Sequence, residues 1–242
     1  MNRYVFRFTK TGALRFISHL DLQRLFRRMF KRIGVDLAYS NGYNPHPRMN
    51  LAQPLSLGFE SESEYLEIET NEPVDVDNIL LLGNQALPRG MVLTAGKEIC
   101  SGTKNLSSVV EYSEYSIALP KESSTITQTM IDQFDSQNII IVNKRDKKTK
   151  KFIEKDVKSM IFRLSLLNDK TLGNGIRAIL RSASNEALNP LQLMESFCCA
   201  AKIPYEKETC RVTRRELYCL AEGALVPLFD CCNQGKGVLD EK

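Results

Sequence analysis

Residues 3–9 (Arg-Tyr-Val-Phe-Arg-Phe-Thr) alternate apolar and polar types and are rich in β-branched and aromatic side chains, which predicts a strand. Thr11 and Gly12 interrupt it. A different period follows: Leu22, Leu25, Phe26, Met29, Phe30 and Ile33 recur at helical spacing. Ser18 stands where an N-cap belongs, Asp21 follows three residues on, and Gly34 closes the run. Residues 35–39 read as a short strand, and the Asn-Gly and Asn-Pro-His-Pro sequences at 41–47 as a rigid loop. Strands are predicted at 49–54 and 65–70 around a 54–58 linker, then a helix at 76–87 and a strand at 91–97. The order is β-α-β-β-α-β, the split β-α-β arrangement of a ferredoxin-like domain. One sheet face then packs under both helices. The opposite face is left for a ligand or a second domain.

Residues 100–105 form a polar junction. Beyond it the pattern is less regular. Strands are predicted at 111–119, 138–144, 176–182 and 212–220, with helices at 123–134 and 190–201. Pro190 after Asn189 marks the start of the last helix. Residues 155–166 are extended or helical. The fold class is therefore α+β: a ferredoxin-like domain over 1–100, a second, irregular ferredoxin-like domain over 106–232, and a polar tail over 233–242.

The 242 residues suffice for one large domain or two small ones. No apolar run approaches the ~20 residues of a membrane helix, and Arg7 and Lys10 interrupt the N-terminal apolar stretch, which excludes a membrane role and makes the cytoplasm the expected location. The seven cysteines include two adjacent pairs and no C-x-x-C, so they are expected as reduced thiols without a metal. No C-x-x-x-C-x-x-C spacing is present, so the chain is not expected to carry a radical-SAM cluster, and no cofactor is predicted. Gly90 to Gly96-Lys97 misses the phosphate-loop spacing by one residue.

Charge changes the picture. Residues 1–50 hold ten Lys/Arg against two Asp/Glu, a balance of +8; residues 51–90 hold one against eight, a balance of −7. A basic segment of this kind suits an anionic partner such as RNA. On the first predicted helix the non-core face carries Arg24, Arg27, Arg28, Lys31 and Arg32, and positions 24, 28 and 31 form one stripe able to bridge phosphates. A solvated face is the ordinary alternative, but soluble helices interleave signs and this one does not.

A second basic feature is Lys144, Arg145, Lys147, Lys148, Lys150 and Lys151, six cations in eight residues at a predicted hairpin tip. A third is polar: His19, Asp21, Asn44, His46 and Arg48, with Tyr43 available to stack on a base or fill the core. His19, Asp21 and His46 are the candidate catalytic residues if the two segments converge.

The sequence Phe16-Ile17-Ser18-His19-Leu20-Asp21-Leu22, followed by Tyr39-Ser40-Asn41-Gly42-Tyr43-Asn44-Pro45-His46-Pro47 and then Pro54-Leu55-Ser56-Leu57-Gly58, resembles the radical-SAM-linked family of unknown function described as DUF2344. The resemblance runs over roughly the whole chain and is strongest in the first third. It implies an accessory protein that binds RNA, such as tRNA or rRNA, beside a separate radical-SAM iron–sulfur protein that performs the modification. It also implies that His19, Asp21, Asn44, His46 and Arg48 form a functional patch. Two alternatives stand: an RNA-modifying or RNA-processing enzyme in its own right, pseudouridine-synthase-like through Asp21 and Arg24 or endonuclease-like through a histidine, and a protein–protein adaptor docking through the acidic 60–77 segment.

Overall fold

The computed structural model describes residues 1–100, 102–120, 125–145, 151–169 and 171–232. They divide into two compact units, residues 1–111 with the segment from Glu216 onward, and residues 112–215. Residues 216–232, which the sequence assigns to the second domain, thus lie with the first. The predicted tail at 233–242 falls outside the described residues.

The first unit runs β1 (Asn2–Lys10), a 3-10 turn (Gly12–Phe16), α1 (His19–Arg32), β2 (Met49–Leu51), β3 (Glu60–Thr70), α2 (Val76–Ala86), β4 (Met91–Ile99) and α3 (Leu106–Val109). Its strands lie in the order β4-β1-β3, with β2 pairing the far end of β3. All of these pairs are antiparallel, with Phe6 opposite Leu66 on one side and Gly96 on the other. This is the ferredoxin-like order. Alternation in β1 sends Tyr4, Phe6 and Phe8 to one face, where they bury against Leu22, Phe26, Met29 and Phe30 of α1 and Ile79 of α2. Phe8 meets Phe26 edge-on at 4.8 Å between ring centres. Gly96 is needed here, because a Cβ would sit 2.7 Å from the Phe6 ring.

The opposite face is not free. Val5, Tyr65 and Ile99 pack against Leu106, Val110, Leu217, Leu228 and Cys232, so the unit covers its own second face with α3 and the returning C-terminal segment.

Three local differences have clear causes. Residues 35–39 are not a strand: only single bridges, Leu37 to Thr70 and Tyr39 to Pro47, form there. The strand predicted at 49–54 shortens to β2, although Ala52 still donates to the Tyr65 carbonyl. The strand predicted at 65–70 begins earlier, at Glu60; its first half lacks apolar alternation because Ser61 and Ser63 occupy the inward positions.

The second unit runs β5 (Tyr112–Ala118), α4 (Gln128–Asp135), β6 (Ile141–Arg145), β7 (Phe152–Asp156), a 3-10 turn (Lys158–Met160), β8 (Ile161–Asp169), β9 (Gly173–Arg181), α5 (Pro190–Ala201) and the first part of β10 (Arg211–Ala221). The strand order β10-β5-β9-β8 repeats the ferredoxin-like arrangement, and the hairpin β6–β7 is an insertion between the first helix and the second strand. The ambiguous 155–166 stretch therefore resolves as the end of β7, a turn and the start of β8. Helix α4 starts later than predicted, behind Thr127, whose side chain accepts from the Met130 N–H. Helix α5 opens as predicted, with the Asn189 side chain accepting from the Leu191 N–H. Phe134 and Phe197 join the two helices edge-on at 5.3 Å.

After β10 the chain adds β11 (Ala224–Pro227) and α6 (Leu228–Cys231). That return brings Cys231 against Cys219, and the two are joined as a disulfide. This corrects the expectation that the described cysteines are all free thiols; a separation of 12 residues gave no hint of the pairing. No helix among the described residues is long and apolar enough to cross a membrane.

Candidate functional site

Helix α1 is set up locally. The Ser18 hydroxyl accepts from the Asp21 N–H at 3.1 Å and donates to Asp21 Oδ2 at 2.7 Å, which satisfies one free N-terminal amide and places an anion in the first turn. The apolar stripe then fixes the rotation of the helix, and Arg24, Arg27, Arg28, Lys31 and Arg32 are left exposed. Arg24 pairs with Asp21 at 2.9 Å, and Arg32 donates to the Ala86 carbonyl at 3.3 Å. The Arg27 and Lys31 side chains make no hydrogen bond or ion pair among the described residues. Hydrogen bonds from Ser18 and then Arg24 hold the exposed Asp21 carboxyl below the ordinary aspartate range.

The loop at 40–46 is closed at its neck. Ser40 N–H donates to the His46 carbonyl at 2.8 Å, and His46 N–H donates to Ser40 Oγ at 3.0 Å. The Arg48 N–H then reaches the Ala38 carbonyl at 2.7 Å. Closure brings His46 to α1. A groove of about 410 Å³ lies between them, lined by Leu20, Gln23, Arg24, Arg27, His46, Pro47 and Met49. His19 sits one turn from Gln23, the two Nε2 atoms 3.5 Å apart. The two histidine-bearing segments thus converge, through Gln23. Tyr43 and Asn44 project fully from the loop.

Arg48 goes elsewhere. Its guanidinium binds Glu69 Oε2 at 3.0 Å and faces a separate depression with Asn50, Glu67 and Asn105. Its Nε is buried without a hydrogen-bond partner. On the other flank of α1 a second groove, about 540 Å³, is walled by Asp21, Arg24, Arg28 and Arg32 over an apolar floor of Ile17, Leu25, Met29 and residues 86–88. Arg27, Arg28 and Lys31 also border a third depression with Asp36, Leu37 and Tyr39.

Of the basic run of the second unit, Lys144 and Arg145 close β6 and Lys151 precedes β7. Strands β6 and β7 pair with Lys144 opposite Ile153, and the hairpin is held to α5 by Gln192 and Ser196, which donate to the carbonyls of Asn143 and Ile141. Lys144 is half-buried and Lys151 exposed, and Arg145 ends β6. Lys147, Lys148 and Lys150 lie outside the described residues.

Two residues escaped the sequence reading. Gln23 has no charge to attract attention, although its position four residues after His19 puts both on one helix face. Phe152, next to the basic run, has no charge to mark it either, yet it is 73% exposed. No cluster of three or more metal-ligating side chains occurs among the described residues.

A family model described as an uncharacterized protein conserved in bacteria, DUF2344, matches residues 3–190, more than three-quarters of the chain. No curated protein matches. Among solved structures, a chain of "Crystal Structure of a Cbf5-Nop10-Gar1 Complex" aligns with a TM-score of 0.48 at 8% identity, over 88% of this chain and 48% of that one. This chain therefore spans about half the length of that neighbour. A "putative glycine cleavage system transcriptional repressor" aligns with a TM-score of 0.25 at 15% identity, over 88% of this chain and 98% of that one.

Proposed function

The chain belongs to the DUF2344 family, and we propose that it is a cytoplasmic RNA-binding accessory protein that works with a separate radical-SAM enzyme in tRNA or rRNA modification. The observation that carries the RNA half of this reading is the exposed cation row of α1, in which the Arg27 and Lys31 side chains have no partner among the described residues and grooves run along the helix flanks.

Unpaired cations in a row are an electrostatic cost in a monomer, and neutralising phosphates relieves it. The neighbouring acids do not. Glu60 accepts from the Gly12 N–H and faces Arg15, Glu67 binds Arg3, and Glu69 binds Arg48, so these carboxylates are committed to their own strand neighbours. The same commitment takes three of the eight carboxylates of the 60–77 segment from the adaptor alternative, which keeps Glu72 and Asp77 exposed. The radical-SAM partner is proposed from the family resemblance alone.

An enzyme in its own right is the second reading, favoured by Asp21 and Arg24 bordering one groove. Asp21 is committed to Ser18 and Arg24, which suits a helix cap better than a nucleophile.

The test is UV crosslinking of the tagged protein in its native host, followed by sequencing of the attached RNA. Enrichment of one tRNA or rRNA segment is the expected result. Background crosslinking from a well-expressed protein overturns the proposal.

A further inference from the structure

We infer that the groove between α1 and the 40–46 loop holds one unpaired nucleotide of the bound RNA, its base read by Gln23 and His46. This rests on the RNA-binding reading above and specifies what that site recognises.

The first argument is chemical division within the groove. Leu20, Pro47 and Met49 supply apolar surface for the faces of a base. Gln23 and His46 supply hydrogen-bonding groups for its edge, and a glutamine amide offers donor and acceptor at once. Arg24 and Arg27 stand at the same groove and suit the flanking phosphates, with Arg27 unengaged among the described residues. The groove on the other flank of α1 lacks this division. It is walled by three arginines and by Asp21, which is already committed, so it suits a backbone rather than a base.

The second argument is size and form. At about 410 Å³ the groove falls in the ~300–1,000 Å³ range of small-ligand sites. A paired A-form helix offers side chains a shallow minor groove and an unreadable major groove, whereas unstacked bases expose their edges.

The third argument is preorganisation. The backbone of His46 is fixed by the paired hydrogen bonds to Ser40 within the Tyr39–Pro47 bridge. Gln23 stands on a helix anchored by Leu22 and Phe26. The backbone at neither position needs ordering when a ligand arrives, so only side-chain rotamers remain to be fixed. Tyr43, fully exposed at the loop tip, offers a stacking surface for the adjacent base.

The experiment measures fluorescence anisotropy of the full chain with labelled 12-nucleotide homopolymers (A, U and C) and a 12-base-pair RNA duplex. Gln23→Ala, His46→Ala and Arg27→Ala are compared, with circular dichroism as the folding control. The wild type is expected to prefer one homopolymer over the others, and over the duplex, by roughly tenfold. Gln23→Ala or His46→Ala reduces that preference to within about threefold with the salt slope retained. Arg27→Ala weakens all sequences alike and lowers the slope. RNA binding without base preference, or with a preference that both variants keep, overturns this inference and leaves the RNA-accessory reading standing. No binding to any RNA overturns both.

Discussion

Replacing Arg27, Arg28 and Lys31 together by alanine tests the electrostatic argument most directly. Arg24 stays, because it is paired with Asp21 and helps to start the helix. Alanine is the best helix former, and the three side chains make no packing contribution to the buried stripe, so α1 is expected to remain folded. The three positions span four residues, about 6 Å along the axis, and fan across the exposed face. Each phosphate neutralised adds ~0.7–0.9 to the slope of log K against log salt, so loss of three contacts lowers the slope by ~2.1–2.7. Between ~50 and ~200 mM salt, the wild type therefore loses roughly 20- to 40-fold more affinity than the variant. The assay is a salt titration of RNA binding, with thermal unfolding as the control on structure. Parallel log–log lines for a folded variant would refute the claim that α1 contacts phosphates, whatever the absolute affinities.

Three further predictions concern the stability of the fold. Glu67→Ala leaves the Arg3 guanidinium without its buried carboxylate and the Leu106 N–H without its acceptor, and it is expected to cost ~3–5 kcal/mol in urea unfolding. Gly175→Ala would put a Cβ 2.0 Å from the Ile117 carbonyl oxygen across the β5–β9 pair, and a loss of at least ~3 kcal/mol is expected; full stability would show that the strands separate freely there. Asp21 has a depressed carboxyl, so its contribution is present at neutral pH and lost as pH falls through the folded-state value. The stability difference between wild type and Asp21→Asn should shrink below about pH 4, and a difference unchanged by acid would remove the charged cap from the account.

Elements whose period reaches a single apolar core were legible. Strand β1 and helices α1, α2 and α5 show clean alternation or helical spacing, and Ser18 and Asn189 mark two of the helix starts through their caps. The first half of β3 was not, because its inward positions are serines. Ser63 is fully buried and spends its hydroxyl on Tyr65 and Glu216, in a network that also takes in Arg7. A polar inner face removes the apolar alternation on which strand recognition depends. The same network pulls residues from Glu216 onward to the first unit, a long-range pairing with no local sequence signature.

The candidate site divides along the same line. Helical spacing displayed the α1 cations, but their freedom from partners depended on which acids the sheet consumes. Segment charge alone could not decide that. Arg3, Arg15 and Arg48 count toward the basic total of residues 1–50, yet each faces a β3 carboxylate. Pairing thus cancels much of the opposed charge within the sheet and leaves the surplus on α1. Convergence of His46 with the helix depended on the closed neck of the 40–46 loop, which is a matter of the two backbone hydrogen bonds of the Tyr39–Pro47 bridge and one bond from the His46 N–H to the Ser40 hydroxyl. The surface that remains has unpaired cations on a rigid helix, with a neutral amide and an imidazole beside them. Charge explains adhesion to any polyanion. Only the amide and the imidazole can distinguish one base from another, so base preference is the property on which the reading of this groove stands or falls.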